Sequence, residues 1–426
     1  MNVYEASLKR LDLIFSEFDN VYVSFSGGKD SGVLLNLCID YIRKNKLNRK
    51  LGVFHMDYEA QYEMTTQYVD EVLHSNKDIL EVYHICMPFK VTCATSMQQG
   101  YWRPWEDSLK EVWVRDRPID SINIDNHCFD FWNDALWDYD FQGKFSHWFH
   151  HEKKAKKTCC LVGIRTQESL NRWRAIHSER NYKNYSGLGW TKEMYPEVYN
   201  AYPIYDWNTQ DVWIANAKNG WSYNPLYDLY YQAGLNIDQM RVASPFIDTA
   251  IESLKLYKAI DPNMWAKMVG RVNGVNFSSI YGGTTAMGWK NIKLPKGHTW
   301  KSYMFFLLDT LPNDVKENYL NKLNTSIKFW KEKGGVLSKE TIEELKGLGI
   351  SLEVGKTTNY NTDKLPVRMD YLDEIDSKDF KLIPSYKRMC ICIMKNDHLC
   401  KYMGFTLTKN ENERRKNIME KYNNIL

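Results

Sequence analysis

Val21-Tyr22-Val23-Ser24-Phe25-Ser26-Gly27-Gly28-Lys29-Asp30-Ser31 is the stretch on which the fold turns. Residues 21–25 read as a short strand that runs straight into a Gly-Gly turn. Ser31 to Ile42 follows as a helix, with Val33, Leu34, Leu37, Cys38 and Tyr41 on one face. Glycines let the backbone turn tightly and bring bare N–H groups close to an anion. The helix start adds its dipole and its unpaired donors. Ser26 and Ser31 supply hydroxyls, Lys29 can offset phosphate charge, and Asp30 can hold Mg²⁺ against the phosphates. This is not a Walker A loop: Val23 stands where that motif needs its first glycine, and Asp30 follows the lysine. The plain alternative is a glycine-rich turn with no ligand.

Outward from this turn the pattern is regular. Leu8, Leu11, Ile14 and Phe15 give the first 19 residues a helical stripe. Leu51 to Met56 reads as a second strand, Glu63 to Leu73 as a helix, and Ile79 to Cys86 as a third strand. The order β-α-β-α-β implies a parallel sheet. Residues 90–150 break the rhythm with Trp102, Trp105, Trp113, Trp132, Trp137 and Trp148. They read as an insertion lying over the mouth of the sheet. Thr158 to Ile164 resumes the sheet, and a helix follows from about Gln167. Asn208 looks like a helix N-cap, with Asp211 in the first turn. After about residue 245 the pattern changes to helical segments (246–260, 301–311, 314–333, 339–348) around a glycine-rich stretch, Gly270 to Gly297. The expected architecture is an α/β, Rossmann-like parallel sheet flanked by helices over 1–245. A mainly helical domain is expected over 246–426.

Composition narrows the class. A net charge of +3 permits nucleic-acid contact without arguing for it, and 28 tyrosines with 15 tryptophans leave aromatics over for stacking on bases. Nine scattered cysteines with no Cys-x-x-Cys pair fit a reducing cytosol. The N-terminus does not read as a signal peptide, and no stretch has the roughly 18 uncharged apolar residues of a membrane span.

Ser26-Gly27-Gly28-Lys29-Asp30-Ser31 resembles the PP-loop of N-type ATP pyrophosphatases and phosphoadenylylsulfate (PAPS) reductases. His55-Met56-Asp57 then falls where these families carry an acidic residue near the adenosine and metal, and Glu63 where they carry a helix-opening Glu. Tyr58-Glu59 replace the usual Thr-Gly. Gly163-Ile164-Arg165-Thr166-Gln167-Glu168-Ser169 resembles the reductases' Gly-x-Arg-x-x-Glu-Ser segment, with Arg172 and Arg174 behind it. There Gly163 would allow close approach to the nucleotide. Arg165 would be a forked donor to phosphate or sulfate, oriented by Glu168 and Ser169, and Arg172 would pair with Glu168 or point into the site. Tyr202-Pro203 to Trp213 and Asn224-Pro225-Leu226-Tyr227 resemble mainly architectural elements of the same families. The expected nucleotide contacts are Ser24, Ser26, Gly27, Gly28, Ser31, Asp57, Gly163, Glu168, Ser169 and Arg172. Lys29, Asp30 and Arg165 are placed at the chemistry.

The late group Cys390, Cys392, His398 and Cys400 could supply a thiol nucleophile or ligate zinc, but the spacing fits no standard zinc pattern, and Met389 to Met394 reads more simply as buried packing. His147, His150, His151, Cys159 and Cys160 are a second group that could hold a metal, read first as structural. No cysteine set suits an iron–sulfur cluster. The chain also resembles the IbrA/YbdN-type branch, which joins a PAPS reductase-like domain to a helical domain of unassigned role. That resemblance implies a ParB/sulfiredoxin-like protein partner, and it lets Arg271, His298 and Lys301 be read as a second anion pocket. Three functions follow: a Mg²⁺-dependent ATP pyrophosphatase that adenylates an acceptor, a thiol-dependent PAPS or adenylyl-sulfate reductase or sulfur transferase, and a nucleotide-sensing or nucleic-acid-associated module.

Overall fold

The computed structural model describes residues 2–168, 172–173, 176, 183–235, 240, 242–248, 250–281, 292–356 and 363–405. Ser169 and Arg174 lie outside them. The chain forms two compact units. One comprises 1–91 with 101–279, the other 92–100 with 280–426.

In the first unit, helix α1 (Val3–Glu17) precedes β1 (Asn20–Ser24), helix α2 (Lys29–Asn45), β2 (Leu51–Met56), helix α3 (Glu63–Ser75) and β3 (Leu80–Cys86). Two-residue strands β4 (Val91–Thr92) and β5 (Tyr101–Trp102) mark where the chain leaves and re-enters this unit. Then come β6 (Ile122–Asn123), helix α4 (Asp138–Glu152), β7 (Thr158–Val162), β8 (Thr191–Tyr195) and β9 (Val198–Ala201). The sheet order is β6-β3-β2-β1-β7-β9-β8. Every pairing is parallel except β8 with β9.

Strand alternation assigns the two faces. Val21, Val23, Leu51, Val53 and Leu80 join one core with Leu11, Ile14, Val33, Leu37, Val69 and Val212. The intervening residues Tyr22, Phe54 and Tyr83 meet the aromatic stripe of α4 instead. Phe145 lies tilted 4.2 Å from Phe54, and Phe149 lies 5.2 Å from Tyr22 and 5.0 Å from Tyr83, ring centre to ring centre. Each such side chain, fully buried, contributes about 1.5–3 kcal/mol of transfer free energy.

The stretch 90–150 is therefore more than an insertion over the mouth of the sheet. It supplies an edge strand, β6 beside β3, and the helix that packs on the face bearing Tyr22, Phe54 and Tyr83. Its segment 92–100 belongs to the second unit altogether. The expected boundary near 245 also differs from the division by packing, because residues 246–279 pack into the first unit. Phe246 meets Trp102, Tyr257 stacks on Tyr62 at 3.5 Å, and Arg271 pairs with Glu59.

The second unit is mainly helical, with helices Trp300–Asp309, Asn313–Glu332, Lys339–Gly347 and Tyr386–Met394. It also holds a three-stranded antiparallel sheet of Gly335–Leu337, Leu365–Met369 and Leu352–Val354, with its own small core around Leu337, Ile342 and Val367. Among the described residues no helix is long and apolar enough to cross a membrane.

Candidate functional site

From β1 the chain walks one way through β2 and β3 to β6, then returns to the other side of β1 as β7 and β9. The direction reverses between β1 and β7. In open α/β sheets a ligand crevice forms at such a reversal, outside the C-terminal ends of the strands. The two loops that leave those ends are Phe25–Gly28 and Gly163–Arg165.

The first loop is held by its own hydroxyls. The backbone N–H of Ser26 donates to Ser31 Oγ at 3.2 Å, the Ser26 and Ser31 hydroxyls lie 3.1 Å apart, and Ser31 donates to Gly28 O at 3.1 Å. Gly27 sits at φ +75°, and a Cβ there would lie 2.8 Å from Val69. Gly28 caps α2 and, having no side chain, makes no capping hydrogen bond of its own to the helix's first turn. Asn224 and Tyr227 brace the loop from outside. Asn224 Nδ2 donates to Gly27 O at 3.1 Å, and Lys29 N–H donates to Tyr227 Oη at 3.1 Å. These two residues, from a segment expected to be mainly architectural, touch the phosphate loop itself.

The second loop closes on the first. A Cβ on Gly163 would lie 2.9 Å from both the C and O atoms of Asp30. This glycine is accordingly needed for approach to the first turn of α2, not only to a ligand. Gly163→Ala should push that turn away and cost about 1–3 kcal/mol. A thermal melt with an ATP-binding titration on the same variant checks this, and an unchanged pair of values would refute it.

Arg165 is fully buried and donates from Nε to Asp30 Oδ1 at 2.7 Å, from Nη1 to Gln167 Oε1 at 3.3 Å and to Trp207 O at 3.5 Å. Among the described residues its Nη2, which is buried, has no hydrogen-bond partner. Lys29 Nζ donates to the other carboxylate oxygen of Asp30 at 2.8 Å. Both oxygens of Asp30 thus face cations, and a metal on Asp30 requires Lys29 to release Oδ2. Glu168 lies 3.5 Å from Arg165 Nε and pairs with Arg172. Burial and then the Asp30 charge push the Glu168 carboxyl up, while Arg172 and Arg165 oppose them. Lys29, Asp30, Gly163, Arg165, Glu168 and Arg172 are brought together. Ser24 ends β1, and Glu63 opens α3 exposed to solvent, its Oε1 accepting from Gln67.

Asp57 follows β2 and is buried. Its Oδ2 accepts from His84 Nε2 at 2.9 Å, and its Oδ1 accepts from Arg115 and from the Glu59 N–H at 2.9 Å. Burial alone would raise this carboxyl, but the Arg115 guanidinium and the His84 hydrogen bond hold it well below the usual carboxylate range. Next to it Glu59 adopts φ +61° and is fully buried. Arg271 grips it from Nε at 2.9 Å and Nη2 at 3.1 Å, and the N–H groups of Trp105 and Val114 donate to it. The reading of Arg271 as part of a second anion pocket is therefore corrected: its charge is spent on Glu59. His298 shares a 3.1 Å hydrogen bond with Ser302, and Lys301 lies over the Tyr386 ring.

The late cysteines pack as core. Cys390, Cys392 and Cys400 are buried with Met304, Leu308 and Leu323. Cys390 donates to Trp300 O, Cys392 to Asp397, and His398 stacks on Tyr319. Burial pushes the Cys390 thiol up to about 12 and Cys392 well above its usual value. Among the described residues, three metal-binding side chains come together at His55, Asp57 and His84 and nowhere else. In the histidine group of α4, His150 shares a 2.8 Å hydrogen bond with Thr158 and His147 stacks on Tyr195 at 4.8 Å. Burial, then His151 and His150, bring His147 down to about 4. Its folded value lies below its unfolded one, so the stability it carries is present above about pH 6.5 and is lost as pH falls toward 4. An NMR titration of the labelled imidazoles should place His147 near 4, and a midpoint above 6 would contradict the burial argument.

Residues 20–233 match the family described as phosphoadenosine phosphosulfate reductase domain, and residues 234–414 match a domain of unknown function, DUF3440. The chain belongs to the PAPS reductase-domain family of PP-loop proteins. Over 422 residues it is 32% identical to the uncharacterized protein YbdN of Escherichia coli K12, spanning 98% of this chain and 94% of that one. Among solved structures it is similar to a PAPS reductase from Candida auris in a phosphate complex, at 17% identity and a TM-score of 0.31, covering 54% of this chain and 85% of that one. It is also similar to an FMN adenylyltransferase from Candida glabrata, at 14% identity and a TM-score of 0.33, covering 56% and 64%.

Proposed function

We propose that the chain binds an adenine nucleotide at the Ser26–Ser31 loop and acts as an ATP pyrophosphatase that adenylates an acceptor. One observation carries this reading: the phosphate loop and the fully buried Arg165, with its unpartnered Nη2, share the sheet's reversal point. In the reaction an acceptor oxygen attacks the α-phosphorus, the α–β bridging bond breaks, and pyrophosphate leaves with the bond's electron pair. The glycine backbone and α2's N-terminus hold the leaving group, and Arg165 steadies the α-phosphate or the acceptor. Asp30, once freed from Lys29, would hold Mg²⁺, whose chemistry is to neutralise phosphate charge. Lys29 would then turn from Asp30 to the leaving phosphates.

The reductase reading needs a thiolate. Cys128 is the exposed cysteine, and burial together with Glu152 raises even its thiol. This supports adenylation over reduction. The test follows [α-³²P]ATP with Mg²⁺ and a pool of small-molecule acceptors, comparing wild type with Asp30→Ala. Labelled AMP or adenylate that depends on Asp30 supports the proposal. No labelled product, with sulfite released from PAPS under a thiol reductant, would sink it in favour of reduction.

A further inference from the structure

We propose that His55, Asp57 and His84 form a site for one transition-metal dication of the zinc type. The two histidines are register partners on the parallel strands β2 and β3, and Asp57 leaves β2 just beyond them. Parallel pairing thus delivers two imidazoles to one place at the C-terminal edge, and all three residues are buried. One donor atom from each lies within 4.8 Å of the other two. Two imidazoles and one carboxylate are a common three-residue set for zinc or iron(II), with further positions left for water or substrate.

The hydrogen bonds around the three side chains orient them as metal ligands are oriented. His55 Nδ1 lies 2.8 Å from Phe25 O. A carbonyl only accepts, so Nδ1 carries the proton and Nε2 presents its lone pair. A ring N–H anchored on a backbone carbonyl is the usual outer-shell arrangement of a metal-bound histidine. Asp57 is held the same way: Arg115 and the Glu59 N–H occupy Oδ1, which leaves Oδ2 for the ion. His84 Nε2 stands 2.9 Å from that oxygen. For bonds of about 2.0–2.1 Å this is close to the separation of two adjacent ligand atoms. To ligate, His84 moves its proton from Nε2 to Nδ1, and the metal replaces the proton between Nε2 and Oδ2.

Charge selects the class of ion. Asp57 and Glu59 are balanced by Arg115 and Arg271. Affinity must therefore come from nitrogen and oxygen bonds to the metal rather than from excess negative charge. That favours zinc-type ions over Mg²⁺ and Ca²⁺, which need several oxygens.

The experiment is equilibrium dialysis of the full chain against Co²⁺ and Zn²⁺, with the visible cobalt spectrum as readout. One Co²⁺ per chain, displaced by Zn²⁺, is expected. His55→Ala and His84→Ala should each weaken binding by about 100-fold or more, and His147→Ala should leave it unchanged. If the first two variants fail to fold, X-ray absorption on the zinc-loaded wild type decides, with two imidazoles and no sulfur expected. Absence of stoichiometric uptake overturns the proposal. So does full affinity in His84→Ala, loss in His147→Ala, or a sulfur ligand at about 2.3 Å, which would place the ion on the late cysteines.

Discussion

Arg271→Met should lower the stability of the first unit by about 3–5 kcal/mol, the usual result of stripping the partner from a buried charge. Glu59 has no solvent exposure, and after the substitution its carboxylate would keep the two backbone N–H groups of Trp105 and Val114 but lose its ion-pair partner. Arg271 is also anchored by its 2.6 Å hydrogen bond to Arg103 O and lies over the Trp102 ring, so part of the loss would be packing. A double variant separates the two effects. Glu59→Gln with Arg271→Met removes both charges and should recover most of the charge-derived part. Denaturant unfolding followed by tryptophan fluorescence measures each variant. A single-variant loss under about 1 kcal/mol, typical of surface pairs, would show that the pair is solvated rather than buried.

Arg165→Met should weaken binding of ATP or PAPS by about 100-fold or more, because a forked donor to an ionised oxygen is worth about 1.5–3 kcal/mol per bond and two such bonds can be lost. Arg165 already bridges Asp30, Gln167 and the Trp207 carbonyl, and these contacts fix its plane before any ligand arrives. Arg165→Lys keeps the charge but cannot reach Asp30 and a ligand oxygen with separate nitrogens, so it should recover only part of the affinity. Calorimetric titration settles the matter. An unchanged dissociation constant in Arg165→Met would move the phosphates elsewhere.

The strand–turn–helix at Val21–Ile42 was legible because its signals are local: strand, paired glycines and helix stripe follow one another along the chain. The same holds for Thr158 to Arg165. His84, Arg115 and Arg271 were not legible as site residues. Each is a lone polar residue in an otherwise ordinary segment, and each acquires meaning from a partner 27, 58 and 212 positions away. Glu59 is intermediate. Its departure from the family's Thr-Gly was visible, but not the reason. It occupies a left-handed position that glycine takes more easily, and its ion pair with Arg271 offsets that cost. The contribution of 90–150 to the sheet was hidden for a similar reason. A two-residue edge strand leaves almost no periodicity to read, and the aromatic stripe of α4 shows its purpose only against Tyr22, Phe54 and Tyr83.

Segment 92–100 has a consequence for how the protein is made. Its Ala94 and Ser96 carbonyls accept from Asn396 and face His398, and Met97 packs with the core that includes Met389 and Cys392. Those partners are translated some 300 residues later. At about 5–20 residues per second, the nine-residue segment waits roughly 15–60 s for them. Until then Met97 lacks its native cover and the Ala94 and Ser96 carbonyls lack these partners, and the growing chain carries an unfinished loop of the kind chaperones bind. Cutting the gene at either unit's edge would make that waiting state permanent.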